Sequence, residues 1–182
     1  GYDQCAACVD AGVRSVTHLQ RHAAVPPARP RHLRRGPGAG CVRGAICDGR
    51  HLHRAPCALY LKAKGYDRVV AVTDSIMAAG LPDGSYKLGV NDVIVENGDA
   101  KLPNGVRAGS TLTMAQALRN LMAFTGEGAE TVSRLMTAQP RPPHGLGRQG
   151  GAGRGKGRRS GPAGRRLPVA RTVVGGRTVY TR

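Results

Sequence analysis

The chain has no tryptophan and only one phenylalanine and five tyrosines among its 182 residues. A core of ordinary size must therefore be built from aliphatic side chains. No run of about 18 apolar residues occurs, so no segment reads as a membrane-spanning helix, and no membrane partner is expected. The first residues, Gly1-Tyr2-Asp3-Gln4, lack the basic start and apolar stretch of a secretory signal. A start methionine is also lacking, and a fragment is expected. The five cysteines are an odd number, and the Cys-x-x-Cys at Cys5 and Cys8 has no second copy to complete a zinc site. Free thiols in a reducing cytoplasm are the expectation.

Acidic residues are scarce. Lys and Arg number 28 against 11 Asp and Glu, a formal net charge of +17. Such a balance invites a nucleic-acid reading, but the charge is unevenly spread. Gln20 to Arg54 holds eight Arg against Asp48 alone, and Gln139 to Arg182 holds ten Arg, one Lys and no acid. Those stretches carry +7 and +11; the remaining residues, nine basic and ten acidic, net −1. Within them, segments 20–45 and 139–170 are Arg, Gly, Pro and Ala with no apolar period, a composition that cannot bury enough surface to offset chain entropy. Both are expected to be disordered. No aromatic is interleaved with their Arg residues, so a stacking platform for single strands is missing. A non-enzymatic basic nucleic-acid-binding protein is the alternative reading, and the contact it offers is nonspecific charge attraction.

The rest of the chain carries regular patterns. Residues 2–11 read as a helix ending at Gly12, and Val13 to Thr17 as a short strand. Order returns near Ile46. Pro56 suits the first turn of a helix that runs through Lys64 to Gly65. Val69-Val70-Ala71-Val72 is a strand buried on both faces, as in a parallel sheet. Helix followed by such a strand is the α/β pattern. Tyr86 to Val95 reads as a strand pair or extended segment, and Asn97-Gly98 is a two-residue hairpin signal. Ser110 or Thr111 is placed to cap a helix with apolar positions Met114, Ala117, Leu118, Leu121 and Met122. A further helix is expected over Ala129 to Ala138, and strands over Arg171 to Val174 and Thr178 to Tyr180.

Three polar residues stand at or after strand ends: His18, His51 and Asp74. In parallel α/β folds that face is the reactive one, and two His with an Asp are the residue types that bind a divalent metal and activate water. Each alone also fits a structural role, a hydrogen-bonded His or a turn-forming Asp. The combination points to chemistry.

Several short motifs occur in a telling order. They are Thr17-His18-Leu19, Asp48-Gly49-Arg50-His51, Val72-Thr73-Asp74 with Ala78-Ala79-Gly80, Pro82-Asp83-Gly84, Ala108 to Met114, and Ala117-Leu118-Arg119-Asn120-Leu121. Together they resemble the C-terminal half of the N-acetylglucosamine-6-phosphate deacetylases, in the amidohydrolase superfamily. The resemblance implies the last three strands of a (β/α)₈ barrel plus a remnant of a small β-sandwich. It divides the chain into a sixth-strand region (1–19), a basic segment (20–45), the seventh and eighth strands with a hairpin and helices (46–138), a second basic segment (139–170), and terminal strands (171–182). It implies a cytoplasmic hydrolase of amino-sugar metabolism, homodimeric when intact, that releases acetate from N-acetylglucosamine 6-phosphate with a divalent metal, expected to be zinc. His18 matches a metal ligand, Asp74 the general base, and His51 a substrate contact; Ser110 lies in a segment near the substrate.

The departures from the pattern coincide with the charge blocks. The family's Glu and His metal ligands of the third and fifth strands have no counterpart here, so the fragment is expected to be inactive alone. After Leu19 the family's Asn-Ala-Met is replaced by Gln20-Arg21-His22-Ala23, and Arg35 is an imperfect counterpart of a phosphate-binding Arg. After Ala138 the family's Asn-Pro-Ala and its following strand are missing. Because G- and C-rich codons yield Arg, Gly, Pro and Ala in any frame, both blocks are expected to be out-of-frame translation.

Overall fold

The structure is a computed structural model that describes residues 7, 8, 10–18, 42–139, 159, 160 and 169–182. Arg35, Cys5, Cys41 and most of the two basic segments lie outside the described residues.

Three parallel strands form the first sheet: β1 (Ser15–Val16), β2 (Val42–Ile46) and β3 (Val69–Val72), in that spatial order. Gly44 pairs with Val70 and Ile46 with Val72. The apolar run at residues 69–72 is thus a parallel-sheet strand, as its continuous hydrophobicity requires. Strand β2 corrects the expected boundary after residue 45. It starts at Val42 and is buried along its whole length, Arg43 included. Its sequence, Val-Arg-Gly-Ala-Ile, has no alternation to read. What makes it a strand is hydrogen bonding to β1 on one side and β3 on the other.

Helix α1 (Arg54–Lys64) crosses from β2 toward β3 and hands over to a 3₁₀ turn at Tyr66–Arg68. Pro56 falls in its first turn, where a missing N–H leaves no helical bond unmade. Helix α2 (Met114–Thr125) packs on α1. Leu61 of α1 and Leu121 of α2 are both fully buried in one cluster with Cys57, Val69, Ala71 and Val132. Each such leucine contributes about 2 kcal/mol of hydrophobic stabilisation.

The cap of α2 differs from expectation. Thr113, rather than Ser110 or Thr111, holds that place, its Oγ1 accepting a hydrogen bond from Gln116 N at 3.2 Å. The two earlier hydroxyls have other partners, described below. At its far end Gly126 turns left-handed (φ 75°) and returns its N–H to Met122 O. The last helix is shorter than its pattern suggested: α3 (Ala129–Ser133) tightens into a 3₁₀ turn at Arg134–Met136. Gln139 extends the packed body by one residue beyond the expected limit; it is buried, with Nε2 donating to Asp67 Oδ1 at 3.2 Å.

A second sheet is an antiparallel meander of β4 (Gly84–Leu88), β5 (Asn91–Glu96) and β6 (Asp99–Lys101). Val93 and Val95 of β5 alternate into a small core with Ile76, Ala78, Ala100 and Ala108, while their neighbours face solvent. The Asn97-Gly98 signal is a hairpin turn with positive φ at both residues, 51° and 69°, the geometry that matches strand twist. A third antiparallel sheet joins β7 (Arg159–Ser160), β8 (Arg171–Val174) and β9 (Arg177–Thr181). Strand β7 lies inside the segment expected to be disordered, and its backbone pairs with Val173 and Val174. Among the described residues no helix is long and apolar enough to cross a membrane.

Candidate functional site

The parallel sheet delivers its polar residues at one edge. His18 follows β1 by two residues, Asp48 follows β2 by two, and Asp74 follows β3 by two. Since Ile46 is opposite Val72, Asp48 and Asp74 leave the sheet at the same level.

Two of these positions have unusual backbones. His18 has φ 28° and Asp74 φ 51°, in the left-handed region that L-residues seldom adopt. Such conformations persist where surrounding contacts over-determine them, and they concentrate at functional sites. At Asp74 those contacts are visible. Its carbonyl accepts Ser110 N at 2.8 Å, Ser110 Oγ donates to Thr73 O, and Ser75 Oγ donates to Leu112 O at 2.5 Å. A short parallel bridge links Ser75 with Ser110. Ser110 Oγ also accepts Leu112 N at 3.1 Å. Ser110 is therefore buried with its hydroxyl engaged by backbone on both sides, and it fastens the strand end that carries Asp74.

The loop after β2 is folded around Asp48. Its Oδ1 accepts the backbone N–H groups of Arg50 and His51, each at 2.8 Å, and its Oδ2 lies 2.6 Å from His51 Nδ1. Burial alone would push the Asp48 carboxyl up. The hydrogen bonds from the His51 ring and the two backbone N–H groups outweigh it and hold the carboxyl below its ordinary range. The His51 side chain is only 3% exposed, and its Nε2 is buried without a hydrogen-bond partner. Beneath the loop, Cys47 and Cys57 are buried free thiols with sulfurs 3.9 Å apart. The contact with Cys57, together with burial, pushes the Cys47 thiol well above its usual range. The exposed Cys8 is also free.

His51 and Asp48 line a pocket of about 430 Å³ together with Arg50, Asp99, Gln116 and Asn120. Several of its walls are internally satisfied. Asn120 Nδ2 donates to Cys47 O at 2.8 Å, Gln116 Nε2 to Asn120 Oδ1 at 2.7 Å, and Thr111 Oγ1 to Gly98 O at 2.6 Å. Asp99 takes a two-pronged bond from Arg107, Nε to Oδ1 at 2.8 Å and Nη2 to Oδ2 at 3.0 Å. That guanidinium, aided by Lys101, keeps the Asp99 carboxyl below its ordinary range.

Of the residues singled out from the sequence, His51 and Ser110 line this pocket. His18 and Asp74 stand at the same edge of the sheet but outside that lining. Among the described residues no cluster of three or more His, Cys, Asp or Glu is placed to hold a metal. Asp48 and Asp99 were not singled out. Asp48 had a readable signal, since an Asp three residues before a His in a Gly-containing turn can accept both from the loop backbone and from the ring. Asp99 is brought to Arg107 by the meander and had none.

Comparison with known proteins places this arrangement in a class. No family model matches the chain. Its similar proteins are sugar-phosphate deacetylases, hydrolases of the amidohydrolase type. In particular, the chain is 33% identical to the N-acetylglucosamine-6-phosphate deacetylase of Lysinibacillus sphaericus, a match that covers 74% of this chain and 35% of that protein. It is 40% identical to the N-acetylgalactosamine-6-phosphate deacetylase of Escherichia coli O157:H7, over 44% of this chain and 21% of that one. The crystal structure of N-acetylglucosamine-6-phosphate deacetylase from Thermotoga maritima superposes with a TM-score of 0.86 at 30% identity, covering all of this chain and 50% of that one. The chain thus spans half or less of the length of the proteins it resembles.

Proposed function

We propose that the chain is the C-terminal part of a metal-dependent deacetylase that converts N-acetylglucosamine 6-phosphate to glucosamine 6-phosphate and acetate. On this reading β1, β2 and β3 are the last three strands of a (β/α)₈ barrel, and the β8–β9 hairpin belongs to a small β-sandwich. The observation that carries it is the sheet edge bearing His18, the Asp48–His51 pair and Asp74, in a chain whose relatives are named for this reaction.

A ring nitrogen and a carboxylate are donors suited to a divalent ion such as zinc. His18 would hold the ion, and the ion would supply polarisation of the acetamide carbonyl and acidification of a water. The chain's own residues do the rest. Asp74, at the end of β3, accepts a proton from the attacking water and returns it to the departing amine, the work of a carboxylate within hydrogen-bond reach. His51 contacts the sugar phosphate in the pocket, and Ser110 keeps the Asp74 strand end in place. The remaining metal ligands come from outside this chain, so it is inactive alone; the assembled enzyme is a cytoplasmic homodimer.

Acetate release tests this. The purified chain with zinc and N-acetylglucosamine 6-phosphate is expected to release none above background. Supplying the N-terminal half of a relative in trans is expected to restore a part of the turnover, limited by the replaced Asn-Ala-Met and phosphate-binding Arg, and Asp74→Asn to abolish it. Turnover by the chain alone would refute the inactivity, and an active Asp74→Asn complex would refute the assignment of the base. Running N-acetylgalactosamine 6-phosphate in parallel reads out which sugar is preferred.

A further inference from the structure

His51 enters the proposed mechanism as a contact, but its hydrogen-bonding sense is set by another residue. A neutral imidazole has one ring N–H and one bare nitrogen, and which is which depends on the partner of either. Here Nδ1 faces Asp48 Oδ2 at 2.6 Å, while Asp48 Oδ1 is occupied by two backbone N–H groups at 2.8 Å each. An ionised carboxylate only accepts, so Nδ1 carries the hydrogen. In the neutral ring the other nitrogen then carries a bare lone pair. That nitrogen is the buried, unpartnered Nε2, on a ring that lines the pocket. A buried acceptor left without a donor is destabilising, and a ligand hydroxyl would satisfy it on binding. The other wall groups nearby, Asn120 and Thr111, are already bonded within the protein.

We propose that Asp48 is a positioning residue that fixes His51 in its Nδ1–H form and so offers Nε2 as an acceptor to a hydroxyl of the bound ligand. The ligand part rests on the reading of this pocket as a sugar-phosphate site; the positioning part does not. The same geometry dictates what Asp48→Asn would do. Two backbone N–H groups require an oxygen at the Oδ1 place, so the amide nitrogen must face Nδ1. The ring then has to accept at Nδ1 and carry its hydrogen at Nε2. A residue of unchanged volume would turn the pocket's acceptor into a donor.

Long-range ¹H–¹⁵N spectra of the ¹⁵N-labelled full chain read this directly, with His51→Gln assigning the signals. The wild type is expected to show a protonated Nδ1 and a bare Nε2, and Asp48→Asn the reverse. Asp48→Ser, which keeps a loop acceptor but cannot reach the ring, is expected to show a mixture. A wild-type ring protonated at Nε2, the form free imidazole favours, would overturn the proposal, as would an unaltered pattern in Asp48→Asn. Adding N-acetylglucosamine 6-phosphate is expected to shift the Nε2 signal while leaving it unprotonated. If the tautomer is as stated and the sugar phosphate leaves Nε2 unmoved, the substrate reading of the pocket fails and the role of Asp48 stands.

Discussion

The backbone nitrogen of His18 lies where a side chain on Gly44 would have to go. An ideal Cβ on Gly44 would sit 2.9 Å from His18 N, 3.4 Å from Val72 Cγ2 and 3.5 Å from Val16 O. A glycine in the middle of the central strand thus lets the chain leaving β1 turn left-handed at His18. Gly44→Ala must push that turn outward and press on the Val72 side chain of β3. The expected cost is about 1–3 kcal/mol, the range for forcing an extra carbon into a packed site. Urea unfolding measures it, and zinc retention by the reconstituted complex should fall with it. An unchanged midpoint would show that the sheet edge yields freely.

Gly109 guards Asp74 in the same way, with a backbone penalty added. Its φ is 63°, and a Cβ there would lie 2.6 Å from Ile76 Cγ2 and 2.9 Å from Asp74 O. Gly105, on the nearby turn, has φ 80° and open space around it. Gly105→Ala should therefore cost only the left-handed term, about 1–2 kcal/mol, and Gly109→Ala clearly more. The difference between the two isolates the contact with the Asp74 strand end. Equal losses would mean that this contact relaxes without cost.

Acid should weaken the pocket before it weakens the sheet. The Asp99 carboxyl is lowered chiefly by its bonds from Arg107, and Asp48 is held low despite its burial. Both folded values lie below the unfolded ones, near 3.9 for Asp. Their contribution to stability is therefore complete above that pH and lost as pH falls through the folded values. Melting temperature should be flat from about pH 7 to pH 5 and drop below about pH 4. Asp99→Asn should lower the plateau and shrink the drop. A drop of unchanged size in that variant would place the acid sensitivity elsewhere.

The sequence made some of these features legible and hid others for physical reasons. Residues 69–72 are apolar on both faces, and Asn97-Gly98 has the residues a tight hairpin needs, so strand and turn could be read locally. Strand β2 could not. Arg43 and Gly44 break every strand pattern, and the segment is held by pairing with strands 26 residues or more away in the chain. Ser110 looked like a helix cap because a hydroxyl before an apolar stripe commonly is one. Its actual partners, Thr73 O and Leu112 N, involve a contact across 37 residues that no local rule contains. His18 and Asp74 were picked out by residue type at strand ends, but the left-handed turn they share is a property of the packed sheet.

The reading frame of the two basic blocks is the remaining test, and the fold narrows where to look. Val42 pairs with β1, Arg43 to Ile46 pair in register with β3, and the strand is buried throughout, so the sequence from Val42 onward fits this sheet. At the other end Gln139, the first residue to depart from the family's Asn-Pro-Ala, is still packed in the body and bonded to Asp67. The +7 and +11 charges then trace mainly to residues 20–41 and 140–182, and a frame restored within the second window must return before the β8–β9 hairpin at Arg171. Sequencing the coding DNA is expected to show that single-base shifts near codons 20 and 42, and near codons 140 and 170, replace the Arg-rich text with Asn-Ala-Met and Arg-Glu-Pro-Gly in the first block and Asn-Pro-Ala in the second. If neither alternative frame contains them, the blocks are natural insertions. Their Arg residues would then bind nucleic acid with an affinity that falls steeply with salt.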